Sequence, residues 1–240
     1  MSNVDEVIAL VTKEPKQDGG DFRGFDLKGI SLNGASFIFA TVAEVIMDES
    51  QLLDIDFSQA NLEKSSMKNA KIKSVNFSGS NLEEVNFEGA TLISCNFKNT
   101  NLSRCDFSEA KLSECDFQGA NLNHSSFYSS TIDNSNLGFA RMMYAFMKQT
   151  VINKSRLGGV NARGSDFSFS KLTDVALKGA TLKYADLNSC TLKEVDLTGA
   201  NLIGVELKDG QCSGVILEEA NLEGSDLTYA IMEGSNLKNA

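Results

Sequence analysis

The stretch Val75-Asn76-Phe77-Ser78-Gly79-Ser80-Asn81-Leu82-Glu83-Glu84-Val85-Asn86-Phe87 repeats one pattern every five residues: small, polar, large apolar, then two variable places. Extending this phase in both directions puts a hydrophobic residue at every fifth position from Phe22 to Leu237. Of these 44 positions, 42 are Leu, Phe, Ile, Met or Val, and the exceptions are Ala162 and Cys212. A period of five is neither the 3.6 of a helix nor the 2 of a strand, so neither element in its ordinary form can account for it.

The other places of the unit are also constrained. Two residues before each large one stands Ala, Ser, Val, Cys, Thr or Gly, with Phe25, Ile30 and Ile55 as early exceptions. The residue between them is often Asn, Asp, Thr or Ser, types that bond neighbouring backbone groups and favour turns. With its Ala60-Asn61-Leu62, Ala120-Asn121-Leu122 and Ala200-Asn201-Leu202 units, the chain resembles the pentapeptide repeat family, whose pattern is Ala-(Asp/Asn)-Leu-x-x. The resemblance covers about nine-tenths of the chain. It implies an all-β solenoid, a right-handed quadrilateral β-helix with four units per coil.

Forty-four units then make about eleven coils, a rod roughly 50 Å long at ~4.8 Å per coil. Each coil touches only its neighbours. A twenty-residue coil also sorts the inward Phe residues. Phe37, Phe57, Phe77, Phe97 and Phe117 should form one column and Phe87, Phe107 and Phe127 another, with Leu on the sides between. Such columns are apolar core with favourable ring contacts. Ala162, beside Met142 and Leu182, and Cys212 are the thin points of the core.

Residues 1–19 precede the repeat and are read as a helical cap on a solenoid of 20–240. Ser2 or Asn3 caps a helix to about Lys13, Asp5 and Glu6 lie in its first turn, and Val4, Val7, Ile8 and Val11 form its apolar face. A cap is needed because a first coil exposes apolar core and open backbone. At the other end the repeat runs through Leu237 without such a device. Homodimerisation through Tyr229, Met232 and Leu237 is one account of that end; fraying, irregular covering residues and a longer parent chain are others.

Composition narrows function mainly by exclusion. Cys95, Cys105, Cys115, Cys190 and Cys212 fall at inward places and are expected to be free thiols, consistent with a cytoplasmic, reducing setting. No run is apolar enough to span a membrane, and no secretory signal is visible. No metal, cofactor or catalytic residue is expected: there is no CxxC and no phosphate-binding glycine loop, and the lone His124 lies at an outward place. A filled core leaves no substrate cleft, so the chain reads as a non-catalytic protein-binding scaffold.

Formal charge is −10, with +5 in residues 141–190 and negative balances elsewhere. Direct nucleic-acid binding is not expected of so acidic a rod. The resemblance implies an alternative, an acidic DNA mimic that binds gyrase or topoisomerase. By phase the acids spread over all four sides and no loop projects, both of which weigh against the mimic. The remaining candidate for a partner contact is the aromatic set Tyr128, Phe139, Met143, Tyr144, Phe146 and Tyr184. All six fall at outward places, where they either form a contact surface or are tucked in by a local bulge.

Overall fold

The computed structural model describes residues 3–240. Helix α1 (Asn3–Lys13) is followed by strands β1 (Ser31–Asn33) to β11 (Ile231–Glu233), one every twenty residues. The eleven strands form one parallel sheet in chain order. The register is twenty throughout, as in Leu32↔Leu52 and Leu192↔Cys212. Single bridges repeat the same offset on the other sides: Ser36↔Asp56, Thr41↔Asn61 and Ile46↔Ser66. The coil is therefore four-sided. The first side carries the strands, the second Phe57 and Phe77, the third Leu62 and Leu82, and the fourth Met67 and Phe87.

Each side is held in both directions along the rod. Asn61 donates its N–H back to Ala40 at 2.9 Å, and Leu62 donates forward to Asn81 at 2.7 Å. The corners follow from the two variable places. After the second, third and fourth sides the chain closes a turn, as when Ala60, Ser65 and Ala70 donate to Phe57, Leu62 and Met67 at 3.1, 3.1 and 3.2 Å. The third residue of such a turn has positive φ, the pattern of type II. Every position numbered in 4 or 9 from Gly19 to Asn239 is left-handed, and most are not glycine. That conformation costs an L-residue ~1–2 kcal/mol. Cooperative pairing offsets it: the corner N–H of Lys64, for example, donates to Glu83 of the next coil at 2.9 Å.

The polar residue before each large one has a defined task. Asp56 and Asn86 accept the N–H two residues on, from Ser58 and Glu88, each at 2.9 Å. On the third side the amides also chain together, Asn121 to Asn101 to Asn81 to Asn61, at 3.0, 2.9 and 3.2 Å. The turn chemistry and the column-forming residue are thus the same side chain.

The core is filled as the phase predicts. Phe57, Phe77, Phe97 and Phe117 stack at 5.6, 4.9 and 4.7 Å, and Phe87, Phe107 and Phe127 at 4.8 Å. The two columns meet edge to face, as in Phe97 and Phe107 at 6.4 Å. Beyond Phe127 only Phe167 continues them, and the core becomes mainly leucine. A void of about 20 Å³ opens there, lined among others by Leu192, Cys212 and Met232. Ala162 is fully buried, as are Met142 and Leu182.

At the N-terminus Val4, Val7 and Val11 pack on the core, with Val7 fully buried. Ile8, expected on that face, is exposed instead: the contact stripe is the narrow i, i+3, i+7 one. Asn3 does not act as the cap read from the sequence. It lies within the helix, and its side chain accepts the Asp26 N–H at 3.4 Å, tying helix to rod. Ser2 lies outside the described residues. The backbone ladder already begins at Pro15, whose carbonyl accepts from Ser36 at 2.9 Å.

Candidate functional site

Because large and small inward residues fill the rod, only the middles of the sides and the corners can meet a partner. Tyr128, Phe139, Tyr144, Phe146 and Tyr184 are all exposed, and Met143 is half-buried. There is no bulge: φ is 58° at Phe139 and 57° at Tyr144, the corner value found along the whole rod. The six do not form one cluster. Phe139 occupies the corner between the second and third sides, while Met143, Tyr144 and Tyr184 occupy the corner between the third and fourth. Phe146 stands mid-way on the fourth side, and Tyr128 at the corner between the fourth and first. The register that fixes these places is Ser126↔Phe146 and Arg141↔Asn161.

Corner rings lean along the rod toward the next coil, where a glycine makes room. A Cβ on Gly159, Gly164 or Gly204 would come within 2.6 Å of the Phe139, Tyr144 or Tyr184 ring. Tyr144 is further held by His124, stacked at 5.4 Å. Arg163 lies over the Tyr184 ring at 5.4 Å. The sequence reading missed Phe169, 56% exposed at the corner between the fourth and first sides, with the Lys148 ammonium 5.2 Å from its ring centre. Its number ends in 9, as Phe139's does, so the phase alone could have found it. Five rings (Tyr128, Tyr144, Phe146, Phe169 and Tyr184) therefore lie on the fourth side or its edges. Phe139 stands apart across the third side.

Two family models match the chain. One described as a pentapeptide repeat region covers residues 70–138, and one described as pentapeptide repeats, in eight copies, covers 48–79, 170–209 and 211–240. The chain belongs to the pentapeptide repeat family. Among solved structures it is similar to HetL from the cyanobacterium Nostoc sp. strain PCC 7120, a pentapeptide repeat protein involved in heterocyst differentiation regulation. Identity is 23% over 98% of this chain and 94% of HetL, with a TM-score of 0.69. QnrB1, a plasmid-mediated fluoroquinolone resistance protein, matches at 20% identity over 76% of this chain and 89% of its own, with a TM-score of 0.38. A pentapeptide repeat protein of the Arabidopsis thaliana thylakoid lumen matches at 28% over 51% and 65%, with a TM-score of 0.31. A search of the curated proteins finds no match.

On this pentapeptide rod acids occur on all four sides, as the phase predicts, but the middles of the sides are unequal, with Asp56, Asp116 and Asp196 on the second. The middle of the fourth side carries Asp26, Asp106, Asp166, Asp186, Glu206 and Asp226 and no base, the middle of the third side only Asp21, and that of the first side none. The column is anchored by hydrogen bonds. Asn188 donates to Glu206 and holds its carboxyl below the usual range, with Lys208 adding to the effect. The Thr228 hydroxyl and N–H do the same for Asp226. These groups are charged at neutral pH.

Other chemistry is sparse. Among the described residues no group of three or more His, Cys, Asp or Glu could hold a metal ion, and no helix is long and apolar enough to cross a membrane. All five cysteines are buried free thiols. Burial pushes the Cys105 and Cys190 thiols well up, and Cys212 up to about 11. A thiol so protonated is a poor nucleophile.

Proposed function

We propose that this protein is a non-catalytic binding scaffold that holds a protein partner on the aromatic band of its fourth side and edges. The observation that carries the reading is five exposed rings held on a backbone without slack. Rigid aromatics lose little entropy on binding, and such residues dominate interface energies. The experiment compares capture of partners from the native host by the wild-type protein and by Tyr144→Ser/Phe146→Ser. A partner held by these rings loses ~2 kcal/mol or more per anchor, about thirtyfold in affinity. Capture of every partner at unchanged affinity removes the reading. The buried reduced thiols support cytoplasmic residence.

The fourth-side carboxylate column favours a second reading, a DNA mimic that engages gyrase or topoisomerase. A supercoiling assay with and without a quinolone tests it, and no effect at large molar excess discards it. Homodimerisation through the last coil rests on Tyr229, Met232 and Leu237, of which Tyr229 is 81% exposed. Light scattering should give twice the 26.0 kDa chain mass, reduced to one mass by Leu237→Asp. A wild-type mass of 26.0 kDa at micromolar concentration rejects it.

A further inference from the structure

Between Phe139 and Tyr184 the third side and its two corners carry no carboxylate. The middle of the side reads Arg141, Asn161, Thr181. One corner adds Lys178, the other Arg163 and Lys183. Lys178 pairs with Asp196 at 3.0 Å; among the described residues Arg141, Arg163 and Lys183 form no ion pair. Some corner cations elsewhere on the rod find carboxylates, as Lys64 with Glu63, Lys68 with Glu88, Arg104 with Glu83 and Lys208 with Asp226. The nearest acids around the corner, Asp166 and Asp186, instead accept the N–H groups of Ser168 and Asn188 at 2.8 Å. The first side also holds lysines without ion pairs among the described residues, Lys71, Lys111 and Lys171, but there Asp54, Glu114, Asp133, Asp174 and Glu194 stand on the same side; in a chain of net charge −10 the third-side sector has cations and no carboxylate of its own.

At the corner that this sector shares with the second side there is a recess, opening toward the second side. Gly138, Gly158, Gly159 and Gly179 leave a shallow hollow of about 500 Å³ beside the Phe139 ring, with Arg156 on its rim. Arg156 is exposed and, among the described residues, forms no ion pair, although Asp174, Glu194 and Asp196 line the surface on its other flank. The hollow is apolar at its floor and cationic at its edges, and no carboxylate lines it.

We infer that this sector, from Phe139 to Tyr184, docks an acidic protein segment that carries one bulky apolar residue. The apolar side chain enters the hollow against Phe139, and the segment's carboxylates meet Arg141, Arg163 and Lys183. This rests on the reading of the rod as a non-catalytic protein-binding scaffold, and not on the fourth-side aromatic band; it names the chemistry of a partner held on the third side. Charge complementarity gives such a contact speed and orientation, and the seated apolar group gives it lifetime. A nucleic-acid strand fits less well. It carries a charge on every nucleotide, so it brings more negative charge past the fourth-side carboxylates than a segment with a few acids does.

An array of random dodecamer peptides, probed with labelled full-length protein, tests this. The variants are Arg141→Glu/Arg163→Glu/Lys183→Glu, Gly158→Leu and Tyr144→Ser/Phe146→Ser, each first shown by thermal melting to be folded. Position 158 has no positive φ, and a Cβ there meets only the Lys178 carbonyl at ordinary contact, 3.6 Å, so leucine fills the hollow without straining the corner. Peptides bound by the wild type should be rich in Asp and Glu with one Phe, Leu or Ile. The triple charge reversal should lose about tenfold or more in affinity, a change of ~1.4 kcal/mol. Gly158→Leu should keep the preference for acids and lose that for the bulky residue. Wild-type binders without acidic enrichment, or bound equally by the triple variant, overturn the inference. So does binding of single-stranded oligo(dT) that the triple variant abolishes, which would assign the sector to nucleic acid. Binding that depends on Tyr144 and Phe146 alone leaves the scaffold reading standing and removes this one; dependence on neither set removes both.

Discussion

Replacing Phe107 by Leu should cost more than the same change at Phe167, although both rings are buried to the same degree, 0% and 1% exposed. The two sites share the chemistry of the substitution, so the difference isolates ring contacts and local adaptability. Phe107 is stacked between Phe87 and Phe127, each at 4.8 Å with planes within 6° and 11° of parallel. It also meets Phe97 and Phe117 edge to face at 6.4 and 6.1 Å. Among the described residues Phe167 has no such partner. Its neighbours along the column are Met147 and Leu187, and methionine's rotatable bonds let it follow a shrinking neighbour. At ~0.5–1.5 kcal/mol per ring pair beyond area burial, the two stacked pairs alone give Phe107→Leu an excess of ~1–3 kcal/mol. Guanidinium unfolding followed by circular dichroism measures it, provided the m-value is the same for both variants. Equal losses, or a larger loss at Phe167, would refute the claim that ring stacking couples these coils.

Four further outcomes follow from particular atoms. Among the described residues the Ser130 hydroxyl is buried without a hydrogen-bond partner, whereas Ser125 Oγ donates to the Leu122 carbonyl at 2.7 Å. Ser130→Ala should therefore stabilise by ~1 kcal/mol in a thermal or chemical melt, and Ser125→Ala should not. Cys212→Leu should raise the melting temperature by filling the void beside it. The gain is ~0.5 kcal/mol from ~20 Å³ of cavity at ~24 cal/mol per Å³, and a lower melting temperature would mean the wall has no room to give. Gly164→Ala should destabilise by ~1 kcal/mol or more, since its φ is +65° and its Cβ would meet the Tyr144 ring; a crystal structure or Tyr144 NMR shifts should show the ring displaced. Finally, Cys212 has its thiol pKa raised from 9.0 to about 11. The folded state therefore keeps a proton that the unfolded state gives up, and this contribution is complete below pH 9 and lost as pH rises to about 11. Between those values the wild type should lose more stability than a variant with Cys105, Cys190 and Cys212 replaced by Ala, as melts across the range would show.

The fold was legible because the repeat never slips. One inward large residue per five, with a turn-forming Asn or Asp before it, is a local pattern, and Asp56 and Asn86 carry it out by accepting the N–H two residues on. Burial of the Phe columns and cysteines follows from the same count. The candidate site was legible only as an outward set. Phase showed that Tyr144 and Phe146 point away from the core, and not that Phe139 stands a full side away from them. It also left Phe169 unread and misjudged Ile8, where packing of the helix on the rod buries the adjacent Val7 and leaves Ile8 exposed.

What the sequence determined, then, is direction: which side chains point into the rod and which point out, because alternation along a strand and a turn every five residues are properties of neighbours in the chain. What only the tertiary structure decided is company. Residues twenty apart become vertical neighbours at ~4.8 Å, and residues on opposite sides of a corner face different solvent. That stacking gathers Asp166, Asp186, Glu206 and Asp226 into one column on the fourth side. It also leaves Arg141, Arg163 and Lys183 together on a sector without a carboxylate to pair with.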